Sequence, residues 1–340
     1  METLWFCLLA LVLTGYVLLD GYDLGVGALH LSLARSDRER RQSLASIAPF
    51  WDANEVWLVT TGGTLFFSFP RIYASSFSGF YLPLIIVLWL LIVRGISIEF
   101  RNHLESPTWA PVWDTGFAFA SALLIIFFGV ALGNLLRGVP LDSNGEFFMP
   151  LWTDFKLGSE IGILDWYTTL TGIFALGAIC LHGALWLNFK VAGVLQERAR
   201  RLMNYLVPLV AVLAIAVTAA TFEVQPHVRE NLASAPWGWL LPLGAGLALA
   251  GCILQRERSA LGAFLSSSVF LFCMLGSAAF ALYPYVLPSS GARDMGLTIY
   301  NSHPGIASLK FALWWWIPGM CLAAGYTVFT HRHFSEKIAE

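Results

Sequence analysis

Two pairs of acids occupy places where acids are costly. Asp20 and Asp23 lie in Asp20-Gly21-Tyr22-Asp23-Leu24-Gly25-Val26-Gly27, within a largely apolar run that begins at Thr3 and continues to Leu33. Asp52 and Glu55 repeat the spacing in Pro49-Phe50-Trp51-Asp52-Ala53-Asn54-Glu55-Val56-Trp57-Leu58. A separation of three places both members of a pair on one helical face. On the first segment Tyr16, Asp20, Asp23, Gly27 and His30 also share a face. A carboxylate withdrawn from water holds a proton more readily than one in solution. Paired acids at membrane depth therefore suit proton or cation handling. The competing reading is structural ion pairing, with a counter-charge from Arg94-Gly95-Ile96-Ser97-Ile98-Glu99-Phe100-Arg101, where Arg94, Glu99 and Arg101 form a third polar cluster.

The elements that position these groups follow from composition. The chain has 340 residues, 57% hydrophobic and only 12% charged, with mean hydropathy +0.67. So apolar a chain cannot cover itself with polar groups, and it is too hydrophobic for disorder. Long continuous apolar runs exclude a transmembrane barrel, leaving an all-α polytopic membrane protein. The net charge of −2 offers no field for nucleic acid. The N-terminus lacks the basic region and cleavage site of a secretory signal and reads as a retained first helix.

Uncharged runs at 3–19, 56–70, 72–93, 115–136, 166–189, 202–222, 231–255, 259–292 and 311–330 predict nine transmembrane helices in one membrane domain, 1–340. The run 259–292 holds a helix that breaks near Tyr283, then a loop. With the N-terminus outside and the C-terminus inside, 14 Lys and Arg fall on inner segments and 6 on outer ones, the expected positive-inside bias. Depth then fixes the acids. About 20 residues from Thr3 reach Tyr22, so Asp20 is within the hydrocarbon and Asp23 at its inner edge. The run 56–70 is too short to cross, so its helix must borrow inward to Trp51, drawing Glu55 into the slab and Asp52 to its inner boundary. Gly21, Gly25 and Gly27 allow close helix approach.

Other chemistry is weakly supported. His182, in the fifth span, and His30, near the inner end of the first, could ligate haem or serve hydrogen-bonded packing; without a His pair at helical spacing or a CxxCH, packing is the better reading. His227, His303, His331 and His333 read as solvated loop or tail residues. Cys7, Cys180, Cys252, Cys273 and Cys321 are scattered singly, so no metal site is expected. There is no phosphate-binding loop, and GYDLGVG lacks a preceding strand. By itself the chain does not read as a catalyst.

The motifs Gly21-Tyr22-Asp23-Leu24-Gly25-Val26-Gly27, Trp51-Asp52-x-Asn54-Glu55-Val56-Trp57-Leu58, Arg94-Gly95 with Glu99-Phe100-Arg101, Gly133-Asn134-Leu135-Leu136-x-Gly138-Val139-Pro140 and Tyr283-Pro284-x-Val286-x-Pro288-Ser289-Ser290 resemble subunit II of the cytochrome bd quinol oxidases, in order and over nearly the whole chain. The resemblance implies nine helices as two four-helix bundles plus a peripheral helix. It implies a bacterial inner-membrane complex that oxidises quinol and reduces O₂ to water with cytoplasmic protons. Haem b and haem d, or b alone, would reside in the larger subunit I, with which this chain pairs. A structural ubiquinone, lipid and small single-helix accessory subunits are further partners it implies. The family's proton-path acids fall on Asp20, Asp23 and Asp52; Glu55 stands where better-known members often carry Gln, which points to the cyanide-insensitive branch. Two other readings stand beside it: a stand-alone proton-coupled transporter, against which no inverted repeat is visible, and a structural anchor without a proton role.

Overall fold

The computed structural model describes residues 1–104, 106–158, 161–291 and 293–339. The helices are α1 (Glu2–Leu33), α2 (Asp37–Ala45), α3 (Trp51–Ser68), α4 (Pro70–Gly79), α5 (Tyr81–Phe100), α6 (Trp109–Arg137), α7 (Trp166–Lys190), α8 (Val194–Val224), α9 (His227–Ser234), α10 (Leu240–Gln255), α11 (Ala260–Leu282) and α12 (Ile306–His333). A small antiparallel pair, β1 (Tyr285–Leu287) and β2 (Leu297–Thr298), lies in the segment between α11 and α12. Among the described residues eight helices are long and apolar enough to cross a membrane: α1, α5, α6, α7, α8, the 236–255 segment that ends in α10, α11 and α12. The ninth expected span, α3, is a helix of 18 residues whose polar groups keep it out of that set. It does begin at Trp51, the residue reached by counting inward from Arg71.

Proline accounts for where two expected spans are redrawn. Phe69 leaves helical geometry ahead of Pro70, as the residue before proline does. That break separates α3 from α4; the run 72–93 is divided further on, at Phe80 between α4 and α5, and Pro83 falls in the first turn of α5, where its missing N–H costs nothing. Helix α5 consequently continues past Arg94 to Phe100, so Arg94 and Glu99 are helical rather than following the span. Pro236 likewise separates α9 from a 3₁₀ turn and α10 within 231–255. The break near Tyr283 stands as expected, with α11 ending at Leu282.

Helices α1 and α7 form the centre. Every residue of α1 from Asp20 to Gly27 is buried, and α7 is the most enclosed of the apolar helices. Their crossing is close because both faces are glycine: a Cβ on Gly25 would lie 2.2 Å from the Ile179 carbonyl oxygen, and one on Gly183 would lie 2.4 Å from the Gly25 carbonyl carbon. A Cβ on Gly27 would meet Ser121 of α6 at 2.1 Å. The small residues singled out in the sequence therefore do permit tight helix contact. Helices α3 and α6 flank α1, α5 packs on α6, α8 and α11 pack on α7, and α10 lies on α11.

Polar anchors close both ends. Ser36 and Glu39 form a reciprocal capping box on α2, and Asp165 caps α7 through the Tyr167 and Thr168 amides. Asp165 also pairs with Arg137, whose other hydrogen bonds go to Asn134, Gly138, Gly162 and the Met149 sulfur. That buried guanidinium ties the end of α6 to the loop before α7.

Candidate functional site

Asp20, Glu55 and Arg94 come from three helices and meet at one point. Asp20 and Arg94 are both 0% exposed. Arg94 grips Asp20 with two nitrogens: Nη1 donates to Oδ2 at 2.9 Å, and Nη2 donates to Oδ1. Nη1 also reaches Glu55 Oε1 at 3.4 Å. The planar fork of arginine matches this bidentate demand, as a lysine would not. Glu55 retains 24% side-chain exposure, so it opens toward the outer surface of α3 while its partners are sealed.

Asp23, one helical turn further along α1, is buried beside this trio. Asn54 Nδ2 lies 2.8 Å from Asp23 Oδ2, 2.7 Å from the Tyr22 hydroxyl and 3.3 Å from the Leu19 carbonyl. Asn54 thus binds α3 to α1 across the site. Asp23 Oδ1, Arg94 Nε and the Tyr16 hydroxyl are buried with no hydrogen-bond partner among the described residues. Unmet polar atoms in so enclosed a place are the positions that ordered water or a ligand occupies.

Asp52, in the first turn of α3, is exposed, and the exposed positions of the helix are Asp52, Val56, Val59, Gly63 and Phe66. Their 4-3-4-3 spacing is that of a helix–helix seam. The i, i+3 relation with Glu55 leaves the two acids on neighbouring sides, Asp52 at the surface and Glu55 turned inward to Arg94. Glu99 is exposed, and its carbonyl accepts from His103 Nδ1 at 3.0 Å. Arg94 and Arg101, expected as one cluster, serve two different ones.

Arg101 belongs to a second buried network at the end of α5. Its Nε donates to Asp114 Oδ1 at 2.5 Å, and Nη2 donates to Asp37 Oδ1 at 2.8 Å. Asp114 also receives Arg40 Nη1 at 3.2 Å and faces His30 Nε2 at 2.9 Å. Hydrogen bonds from Arg101 and Arg41 hold the Asp37 carboxyl below the ordinary aspartate range. Asp114 stands outside the sequence-derived acids because it lies just before an uncharged run; its only signal was being the single acid on that helix.

His30 and His182 are packed rather than free. His30 Nδ1 lies 3.3 Å from Ser43 Oγ, and its Nε2 is the one on Asp114. His182 Nε2 donates to the Leu18 carbonyl at 3.0 Å, and Nδ1 meets Ser267 Oγ at 2.7 Å. With both nitrogens engaged, neither residue fits axial haem ligation. No cluster of three or more metal-binding side chains exists among the described residues. His331, expected in solvent, is instead half-buried at the end of α12, against Tyr22 and Phe50. The burial follows from helix length, because α12 runs on to His333.

Beside the acids lies a cavity of about 200 Å³, walled almost wholly by apolar groups. Tyr16 and Gly21 of α1, Phe128 of α6, Phe174 of α7 and Leu271 of α11 line it. Tyr16 therefore borders both the cavity and the charged cluster.

The model of the cytochrome bd terminal oxidase subunit II family matches residues 1–334. Cytochrome bd-I ubiquinol oxidase subunit 2 of Escherichia coli K12 is 33% identical over 339 residues, covering 92% of this chain and 88% of that one. Cytochrome bd ubiquinol oxidase subunit 2 of Bacillus subtilis is 32% identical over 313 residues, covering 91% and 88%. A chain in the structure of bd oxidase from Geobacillus thermodenitrificans shares the fold, with a TM-score of 0.74 at 16% identity over 98% of both chains.

Proposed function

Because the chain belongs to the cytochrome bd terminal oxidase subunit II family, we propose that its acids deliver cytoplasmic protons to a haem-bearing partner, subunit I, in a bacterial inner-membrane oxidase that transfers electrons from quinol to O₂. The haems belong to the partner, and this chain is not catalytic alone. Membership in an oxidase family leaves the stand-alone transporter without support.

One observation carries the proton reading: the graded enclosure of the acids. Asp52 is exposed, Glu55 half-open, and Asp20 and Asp23 sealed. Arg94 bridges Glu55 and Asp20, holding their negative charge in place while it remains cationic. A proton arriving at Asp52 passes to Glu55 and reaches Asp20 and Asp23 through the unmet positions, which water fills. Helix α3 is then the ninth crossing element, with the N-terminus outside and the C-terminus inside.

The exposed stripe of α3 supports a partner at that place. Val59 and Phe66 are 74% and 59% exposed. Gly62 and Gly63 have nothing within 4 Å of where a side chain would begin. Each helical glycine costs about 1 kcal/mol relative to alanine, and no contact among the described residues explains the choice. A helix of subunit I laid along 52–66 would use that flatness and shield Asp52 and Glu55 from lipid. The apolar cavity beside Tyr16 suits the ring of a structural quinone, with the Tyr16 hydroxyl as a donor. Small accessory subunits would join elsewhere on the apolar surface.

Asp52→Asn tests the route in the complex assembled with subunit I. Quinol-driven O₂ uptake should fall while the haem spectrum and subunit ratio stay normal. Wild-type uptake in Asp52→Asn, Glu55→Gln and Asp23→Asn alike would leave this subunit a scaffold.

A further inference from the structure

His331 and Tyr22 make a second approach to the buried acids, from the end of the last helix. His331 Nδ1 lies 2.8 Å from the Thr327 carbonyl. A carbonyl only accepts, so Nδ1 carries hydrogen and neutral His331 presents Nε2 as a base. Nε2 lies 3.1 Å from the Tyr22 hydroxyl, which donates to it. The Tyr22 oxygen in turn accepts from Asn54 Nδ2, the same nitrogen that holds Asp23 Oδ2. Tyr22 and Asp23 thus both lie within 2.8 Å of one amide nitrogen, and a single water spans such a gap. The unpartnered Asp23 Oδ1 leaves that water an acceptor.

The surroundings hold the pair in register. The Tyr22 ring stacks on Trp186 at 4.0 Å and 17°, and the His331 ring lies 4.6 Å from Phe50. Lys190 sits 5.6 Å from the Phe50 ring centroid and donates to the Phe334 and Glu336 carbonyls. The tail beyond α12 is thereby fastened beside the mouth, and His331 keeps partial exposure.

We propose that His331 and Tyr22 form a second proton intake that converges on Asp23 independently of Asp52. A proton bound at His331 Nε2 moves to the Tyr22 oxygen as the Tyr22 hydroxyl proton passes through water to the Asp23 carboxylate. Once Nε2 is protonated its N–H points at the Tyr22 oxygen and the hydroxyl turns to the water. One N–H bond and two O–H bonds (of Tyr22 and the water) break, three O–H bonds (on Tyr22, the water and Asp23) form, and the net change is one proton moved from His331 to Asp23. The inference deepens the proton-delivery reading and rests on it.

The test uses the assembled complex with Tyr22→Phe, which keeps the stacked ring and removes only the hydroxyl. His331→Gln joins it, because glutamine can hydrogen-bond Tyr22 but cannot carry a proton. Haem content and subunit ratio, expected normal, verify assembly. Each variant alone should lower O₂ uptake about twofold, and each combined with Asp52→Asn should lower it more than tenfold, beyond the product of the single effects. Double variants no slower than Asp52→Asn would overturn the second intake and leave the Asp52 route standing. If every single and double variant turns over like wild type, the delivery reading itself fails.

Discussion

The Arg94–Asp20 pair separates a structural role from a proton role, because the two readings diverge when both charges are removed. Both side chains are 0% exposed and joined by two hydrogen bonds. Removing one partner of a buried pair leaves an uncompensated charge and costs about 3–5 kcal/mol. The two single variants should differ within that range. Arg94→Met leaves Asp20, Asp23 and Glu55 without their shared cation, so it belongs at the upper end. Asp20→Leu leaves Arg94 with Glu55 at 3.4 Å, a partial replacement, so it costs less. The double variant, two apolar groups of similar bulk, should return to about wild-type stability or exceed it.

The assay is loss of the haem spectrum from the detergent-purified complex at fixed temperature, since membrane complexes unfold irreversibly and their stability is a rate. About 3 kcal/mol corresponds to roughly a hundredfold faster loss if the pair is broken before the barrier. Arg94→Met should show that acceleration, and the double variant should reverse it. Turnover should not follow. With Asp20 gone, the rescued complex should still reduce O₂ at least tenfold more slowly than wild type, by the scale of lost proton-transfer groups. An Arg94→Met complex that loses haem within twofold of the wild-type rate refutes the buried-pair energetics. A double variant with wild-type turnover refutes the proton role and leaves the acids as scaffold.

Two further outcomes follow from glycine placement. Gly25→Ala puts a Cβ 2.2 Å from the Ile179 carbonyl, backbone that cannot step aside; it should destabilise the α1–α7 crossing by about 1–3 kcal/mol, read as faster haem loss in the same assay. Gly63→Leu, in open space on the α3 stripe, should leave this subunit's membrane level unchanged and reduce its co-purification with subunit I; undiminished recovery of the pair would move the partner to another face.

How much of this was legible depended on whether depth or company decided a residue's role. The start of α3 at Trp51 follows from chain length against bilayer thickness, and the same arithmetic expects Asp20 and Glu55 at a similar depth; the structure joins both to Arg94. Gly25 and Gly27 were readable because close helix approach has few other solutions. Asn54 lies in the Trp51–Leu58 motif, yet its work is to hold Tyr22 and Asp23 on another helix, which spacing along α3 does not encode. Asp114 was missed because its partners, Arg101, Arg40 and His30, are brought to it from α1, α2 and the end of α5. His331 reads as wet because the uncharged run stops at Thr330; α12 continues to His333, and its contacts with Tyr22 and Phe50 enclose the ring.

Helix α3 shows why the same residues that weaken a membrane signal can specify an assembly. Asp52, Asn54, Glu55, Thr60, Thr61, Gly62 and Gly63 make it too polar to count as a span by composition. Inside the chain that polarity is partly met: Asn54 goes to α1, Glu55 to α5, and the threonine hydroxyls of Thr60 and Thr61 to carbonyls of their own helix. What is left unmet is confined to one stripe, 52–66, with an acid at its N-terminal end and glycine where a neighbour could come closest. Lipid would be a poor neighbour for such a stripe, since it can neither solvate Asp52 nor fill the flat surface as another helix does. A partner helix satisfies both demands at once. On the proposed reading the proton intake and the subunit contact are one constraint on α3: an acid that takes up a proton there has to sit at the surface, and that surface then belongs to another protein.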